Sequence, residues 1–187
     1  MAGPCAPEPV KFFVAVLWAD AAVLPEARIR LAERFGPIDF EGPDHAFDLS
    51  DYYTPEMGPG LMRRLMAFEP LMSPEELAPG KLACIAIESA LAGAAGRRVN
   101  LDVGYLDHNK LVLASIKAAG QKIYLSAGIY ADLVARFAQG RYQPFPWTFP
   151  DFKDGRYDVE LSTLRGRCLE QVKSWRSSPP ALSTPTD

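Results

Sequence analysis

Residues 97–151 read RRVNLDVGYLDHNKLVLASIKAAGQKIYLSAGIYADLVARFAQGRYQPFPWTFPD. Apolar positions alternate here with Asn, Asp, Lys, Arg and Tyr, a period of two that predicts half-buried strands. Strands are expected at 98–105, 110–116, 122–126 and 130–138, and Gln139-Gly140 forms a two-residue hairpin turn into 141–145. Such a sheet has one apolar face for a core and a second face dense in charge and aromatic hydroxyls. Binding or chemistry is expected on that second face.

Upstream, Lys11–Trp18 (KFFVAVLW) is a near-continuous apolar run, suited to a central strand buried on both faces. The segment lacks a basic lead-in, so a buried strand is the better reading than a signal peptide. Residues 25–35 place apolar side chains at helical spacing, with Pro25 in the first turn and Gly36-Pro37 as the stop. A second strand is expected at 38–47, meeting a turn at Gly42-Pro43, then a loop at 48–60. Residues 61–68 read as a strand or a short helix, with the bounding turns favouring strand. Ser73 and Glu76 have capping-box spacing for a helix running to Gly93, with an expected apolar stripe of Leu82, Ile85, Ala86 and Ser89. Pro144–Phe152 is extended, and 157–175 is a final helix whose apolar positions are Val159, Leu161, Leu164, Cys168, Leu169 and Val172.

This order predicts an α+β fold: a mainly antiparallel sheet with a ferredoxin-like βαββαβ core, extra C-terminal strands and a terminal helix. Helices are expected on one face, leaving the other open or partly wrapped by residues 144–152. Residues 10–176 are expected to form one domain, between a flexible arm at 1–9 and a disordered tail at 177–187.

The chain has 187 residues, 48% hydrophobic and 23% charged, with a net charge of −3, an ordinary globular composition. The acidic balance argues against a general nucleic-acid coat, which needs a strong basic excess. Three widely spaced cysteines, Cys5, Cys84 and Cys168, fit reduced thiols in the cytoplasm rather than a disulfide framework. No apolar run approaches the ~20 residues of a membrane span.

Within the expected strand at 98–105, Arg98, Asn100 and Asp102 share one face. Such a row offers a cation for an anion, an orienting amide, and in Asp102 a potential base or metal ligand. A cross-strand salt-bridge ladder is the competing reading. Gly104 breaks the strand or permits close backbone approach. Lys110, Lys117, Lys122, Arg63, Arg64, Arg136 and Arg141 interleave with Tyr124, Tyr130 and Tyr142, as a stacking platform or as charges that blunt sheet edges. Asp48, Asp51 and Glu56 form an acidic loop, a weak magnesium pattern against a plain solvated turn. Trp147 walls a pocket or seals a core edge. No P-loop, GxGxxG, HExxH or GxSxG pattern occurs, and His45 and His108 form no paired motif. These patterns assign no metal site, and the cofactor is unknown from the sequence.

The words FGPIDF, FDLSDYYTPEMGPG, SPEELAPGKL, RRVNLDVGYL, KLVLASIK, KIYLSAGIYADL and PWTFPDF occur in one order. Through them the chain, from Val10 to about Leu164, resembles the uncharacterised bacterial family of domain of unknown function 4416. The resemblance implies no activity and no catalytic residue. The chain departs from the family pattern at Val103, where Pro is usual, and at Asp107-His108-Asn109.

The expected function is therefore binding or processing of a small anionic ligand, phosphorylated or nucleotide-like, on the polar sheet face. Arg98 and Lys117 would hold the anion, Asn100 would orient it, and Asp102 would carry any chemistry. Tyr53, Tyr124 and Trp147 would wall the pocket. The rival is a non-enzymatic RNA- or protein-interaction module.

Overall fold

The computed structural model describes residues 5–94 and 96–177. Its first strand, β1 (Val10–Trp18), is buried along its whole length, as its apolar run requires. Even Lys11 is buried, its Nζ 2.6 Å from Asp39. Helix α1 (Leu24–Phe35) ends at Gly36, whose φ of +93° suits glycine. The expected strand at 38–47 is two pieces, β2 (Ile38–Glu41) and β3 (His45–Ala46), parted by Gly42-Pro43-Asp44. A single turn, α2 (Thr54–Met57), precedes β4 (Met62–Met72), so the ambiguous segment is a strand and runs beyond Phe68. Ser73 accepts the Glu75 N–H ahead of α3 (Leu77–Ala90), but Glu76 pairs with Arg34 instead of closing a capping box.

The alternating stretch forms β5 (Val99–Leu106), β6 (Lys110–Ser115), β7 (Ile123–Ser126), β8 (Ile129–Ala138) and β9 (Arg141–Pro144). A short helix, α4 (Pro150–Lys153), leads into α5 (Asp158–Ser177). All nine strands join one antiparallel sheet in the order β2-β4-β1-β5-β6-β8-β7, with β3 also on β4 and β9 also on β8. The fold is thus mixed helix and strand, with one large antiparallel sheet and five helices among the described residues.

Helices lie on both faces, which corrects the expectation of one covered face. On the first, α1 and α3 pack over Phe12, Val14, Val16, Phe68, Leu101 and Val103. On the second, α4 and α5 bring Phe152, Leu161, Leu164 and Cys168 over Phe13, Leu65, Leu106, Leu113 and Val134. Burying such a side chain contributes about 1.5–3 kcal/mol, enough to draw α5 onto the sheet. Val159 and Leu169, expected in the α5 stripe, are exposed.

The α3 stripe is also corrected by one position. Its buried side carries Leu77, Ala78, Gly80, Lys81, Cys84, Ile87 and Glu88, while Leu82 faces solvent. Two charged residues seven apart thus face the sheet, for a reason that lies in β5. Of the arm and tail expected at 1–9 and 177–187, residues 1–4 and 178–187 lie outside the described residues. Within them, Glu8 pairs with Arg176 and Ser177 ends α5. No helix among the described residues is long and apolar enough to cross a membrane.

Candidate functional site

Strand β5 pairs with β6 only from Gly104 to Leu106; from Val99 to Val103 it has no strand on that side among the described residues. Leu101 directs its N–H and C=O into this open seam, and buried backbone groups need partners. Helix α3 supplies them. Glu88 Oε1 accepts the Leu101 N–H at 2.6 Å, and Lys81 Nζ donates to the Leu101 carbonyl at 2.8 Å. The two buried charges therefore substitute for a missing strand.

Asp102 lies on the opposite face of β5 from Leu101, beside Ala15 of β1. Its Oδ2 accepts from Arg63 Nη2 at 3.0 Å and Asn100 Nδ2 at 2.9 Å, and Lys81 reaches its Oδ1 at 3.4 Å. Arg63 is itself buried and pairs with Asp151 at 2.6 Å, whose carboxylate also accepts the Tyr157 hydroxyl. Phe47 stacks on the Arg63 guanidinium, 4.6 Å from ring centre to Cζ.

From Asp102 the network runs outward. Asn100 Oδ1 accepts from Arg97 at 2.7 Å, and Arg97 pairs with Glu56 and lies over the Tyr53 ring. Tyr53 meets Tyr52 edge-on with ring centres 4.9 Å apart, and Lys117 Nζ donates to the Tyr52 hydroxyl at 2.6 Å. Ser115 Oγ accepts the Lys117 N–H and the Lys122 ammonium, which in turn pairs with buried Asp132. A belt of polar and aromatic contacts thus links β5 to the end of β6 at Ser115 and to Asp132 of β8.

Electrostatics separate the two carboxylates that flank Lys81. Burial would raise the Asp102 carboxyl, but Lys81 and Arg63 beside it hold it below the usual aspartate range. At Glu88 burial dominates, and its carboxyl is raised despite Lys81 and the Leu101 N–H. Burial and the Asp102 charge also raise the Tyr53 phenol, keeping it protonated.

The raised Glu88 value fixes the sign of a pH effect. The native state holds this proton more tightly than the unfolded chain, so Glu88 costs stability as pH rises through its folded pKa. Glu88→Gln keeps an acceptor for the Leu101 N–H and removes that titration. Its expected stability relative to the parent is therefore higher at pH 8 than at pH 4, measured by urea unfolding at the two pH values. An unchanged difference across that range would refute the assignment.

Of the residues expected to form a site, Tyr53, Asn100, Asp102 and Lys117 come together in this belt. Arg98 does not join them; it leaves the row and pairs with Asp20 at 3.1 Å. Tyr124 stands on the sheet edge against Tyr130. Trp147 stacks on Phe145, half-exposed, with its Nε1–H on the Leu133 carbonyl, while Thr148 and Phe152 around it are buried. The acidic loop disperses: Asp48 pairs with Arg156 and Glu56 with Arg97. Among the described residues no cluster of three or more His, Cys, Asp or Glu is placed to hold a metal ion. Lys81 and Glu88 escaped the sequence reading; their signal was two charges seven apart on a largely apolar helix.

The family model described as domain of unknown function (DUF4416) matches residues 8–167. No curated protein matches the chain, and no solved structure does. With most of its length inside that match, the chain belongs to the family of the domain of unknown function DUF4416.

Proposed function

We propose that this chain binds a small anionic ligand, phosphorylated or nucleotide-like, along the belt from Lys117 to Asp102. The observation that carries this reading is Lys117, an exposed cation with no carboxylate partner among the described residues, at the outer end of a contact chain reaching a buried ion network. Buried charge networks cost desolvation and concentrate at functional sites. Lys117 meets the anion, exposed Tyr52 and half-buried Tyr53 wall it, and Asn100 and Arg97 orient it. A carboxylate held below its usual range is a weak base, so Asp102 serves as a fixed negative charge, and Glu88 is better suited to exchange a proton.

A nucleic-acid surface has less support, because Arg63, Arg64, Arg97 and Lys122 are already paired with carboxylates. The order β2-β4-β1-β5, with α1 and α3 as crossovers on one face, supports a ferredoxin-like core extended by β6–β9. One continuous sheet supports a single domain over 10–176. Three unpaired cysteines, two of them buried, support a cytoplasmic protein.

A thermal-shift panel of inorganic phosphate, ribose 5-phosphate and adenosine monophosphate tests the reading. A binder at a hundredfold over its Kd should add about 2.7 kcal/mol of stability. Lys117→Ala should weaken that binder about tenfold, or ~1.4 kcal/mol. No shift with any of the three, or unchanged affinity in Lys117→Ala, would overturn it.

A further inference from the structure

Asn100 is only 3% exposed, so a ligand reaches it only if something above it moves. Its side-chain oxygen is taken by Arg97, which lies over Tyr53 and pairs with Glu56. Both of those partners belong to residues 48–60, the segment between β3 and β4. The ends of this segment are drawn together, the Phe47 N–H donating to the Leu61 carbonyl at 2.8 Å. It is therefore a compact surface loop closed at its neck, a shape often put to functional use. Inside it, Tyr52, Thr54, Glu56, Met57 and Gly58 direct their N–H groups to acceptors of the loop itself. Among the described residues no backbone group of the loop bonds outside it, and none of its residues is buried.

Given the anion site proposed above, on which this rests, we infer that residues 48–60 are a lid that opens as one unit to admit the anion to Asn100 and Asp102. Among the described residues three cations fasten the loop from outside, at every fourth position along it. Arg156 holds Asp48 at 3.2 Å, Lys117 donates to the Tyr52 hydroxyl at 2.6 Å, and Arg97 holds Glu56 at 2.7 Å. All three contacts are open to water, where such pairs contribute little, whereas the sheet beneath is held by two apolar cores. A segment with no buried side chain and only surface anchors opens far more readily than the whole fold unfolds. Its own hydrogen bonds keep the loop intact as it lifts. Gly60 at the neck, with a φ of +73° and no atom within 4 Å of its Cβ position, is free to act as the pivot. The middle fastener is also the anion's contact: an anion at Lys117 competes with the Tyr52 hydroxyl for the same ammonium. Arrival of the ligand at the rim thus loosens the lid at its centre.

Iodoacetamide labelling of Asn100→Cys in the full chain, read by mass spectrometry, tests this without a ligand. Cys84 and Cys168, buried in the two cores, report global unfolding in the same sample. The Asn100→Cys thiol should be labelled at least about tenfold faster than either. Asp48→Ala and, separately, Glu56→Ala, each added to that probe, should quicken its labelling about two- to fivefold and leave Cys84 and Cys168 unchanged. Glu26→Ala, which breaks an equally exposed pair with Arg30 on α1, should change nothing. Should the probe substitution prevent folding, nitration of Tyr53 in the chain without it gives the same comparison, with buried Tyr157 as its control. A probe modified no faster than its buried controls, or indifferent to both Asp48→Ala and Glu56→Ala, would overturn the lid. Any binder in the phosphate panel should also associate about two- to fivefold faster with Glu56→Ala, and an unchanged rate would overturn its role as a gate. Labelling needs no ligand, so a panel without a binder counts against the anion site and leaves the lid to be decided by the thiol.

Discussion

Arg63→Ala should lower the unfolding free energy by about 3–5 kcal/mol, the range for breaking a buried ion pair from one side. The guanidinium holds two carboxylates at once, Asp151 at 2.6 Å and Asp102 at 3.0 Å, and both it and Asp151 are almost wholly buried. Without it, Asp102 keeps Asn100 and Lys81, whereas Asp151 is left with the Tyr157 hydroxyl alone. Most of the loss should therefore come from an orphaned Asp151 charge. That makes the deficit pH-dependent in a defined direction. An unpaired buried carboxylate has a raised pKa, so protonation in acid removes the penalty. The gap between parent and variant should be widest near pH 7 and narrow towards pH 4, read by guanidinium unfolding at each pH. Arg63→Met combined with Asp151→Leu should recover much of the loss, because an apolar pair has no unmet charge. A loss under about 1 kcal/mol, or a gap that does not narrow in acid, would mean that the pair contributes little to folding.

Much of this architecture was legible because its elements obey local rules. The period of two places β5, β6, β8 and β9 within a residue or two, and the apolar run of β1 announces a central strand. The second covered face was not legible. Whether a terminal helix docks on a sheet depends on contacts such as Leu164 and Cys168 with Leu106 and Leu113, far apart in sequence. The α3 stripe failed for a related reason. Hydrophobicity alone put Lys81 and Glu88 outside, whereas the open side of β5 requires one donor and one acceptor at Leu101. At the site, the shared face of Asn100 and Asp102 follows from strand alternation. Arg98 drops out because β5 begins at Val99, and its neighbour Arg97, still in the loop, turns back onto Asn100. One residue at a strand entrance decides which arginine joins the network, and alternation carries no information beyond the strand's end.

Gly104→Ala should cost about 2–3 kcal/mol, the upper part of the usual range for overpacking. Gly104 is the first residue of β5 to pair with β6, opposite Leu113, and sits at the apex where the strands part. A Cβ there would lie 2.4 Å from the Val112 carbonyl oxygen, 2.6 Å from Leu113 Cδ2 and 3.2 Å from Phe13 Cζ. The nearest of these is backbone, so no rotamer change relieves it; β6 itself has to move. Trimming the neighbour with Leu113→Ala should therefore fail to rescue the variant, which separates a backbone clash from a side-chain one. The displacement should also act on the seam, because the short ladder from Gly104 to Leu106 sets how far apart β5 and β6 stand beside Asp102. Amide exchange should quicken first at Leu106 and Leu113, before any global unfolding. Gly166 provides the contrast: it lies in α5 with open space around its Cβ position. Alanine there should raise stability by about 0.5–1 kcal/mol through helix propensity alone. If both alanines gave the same small change in denaturant unfolding, close packing at Gly104 would not be what fixes the angle of the seam.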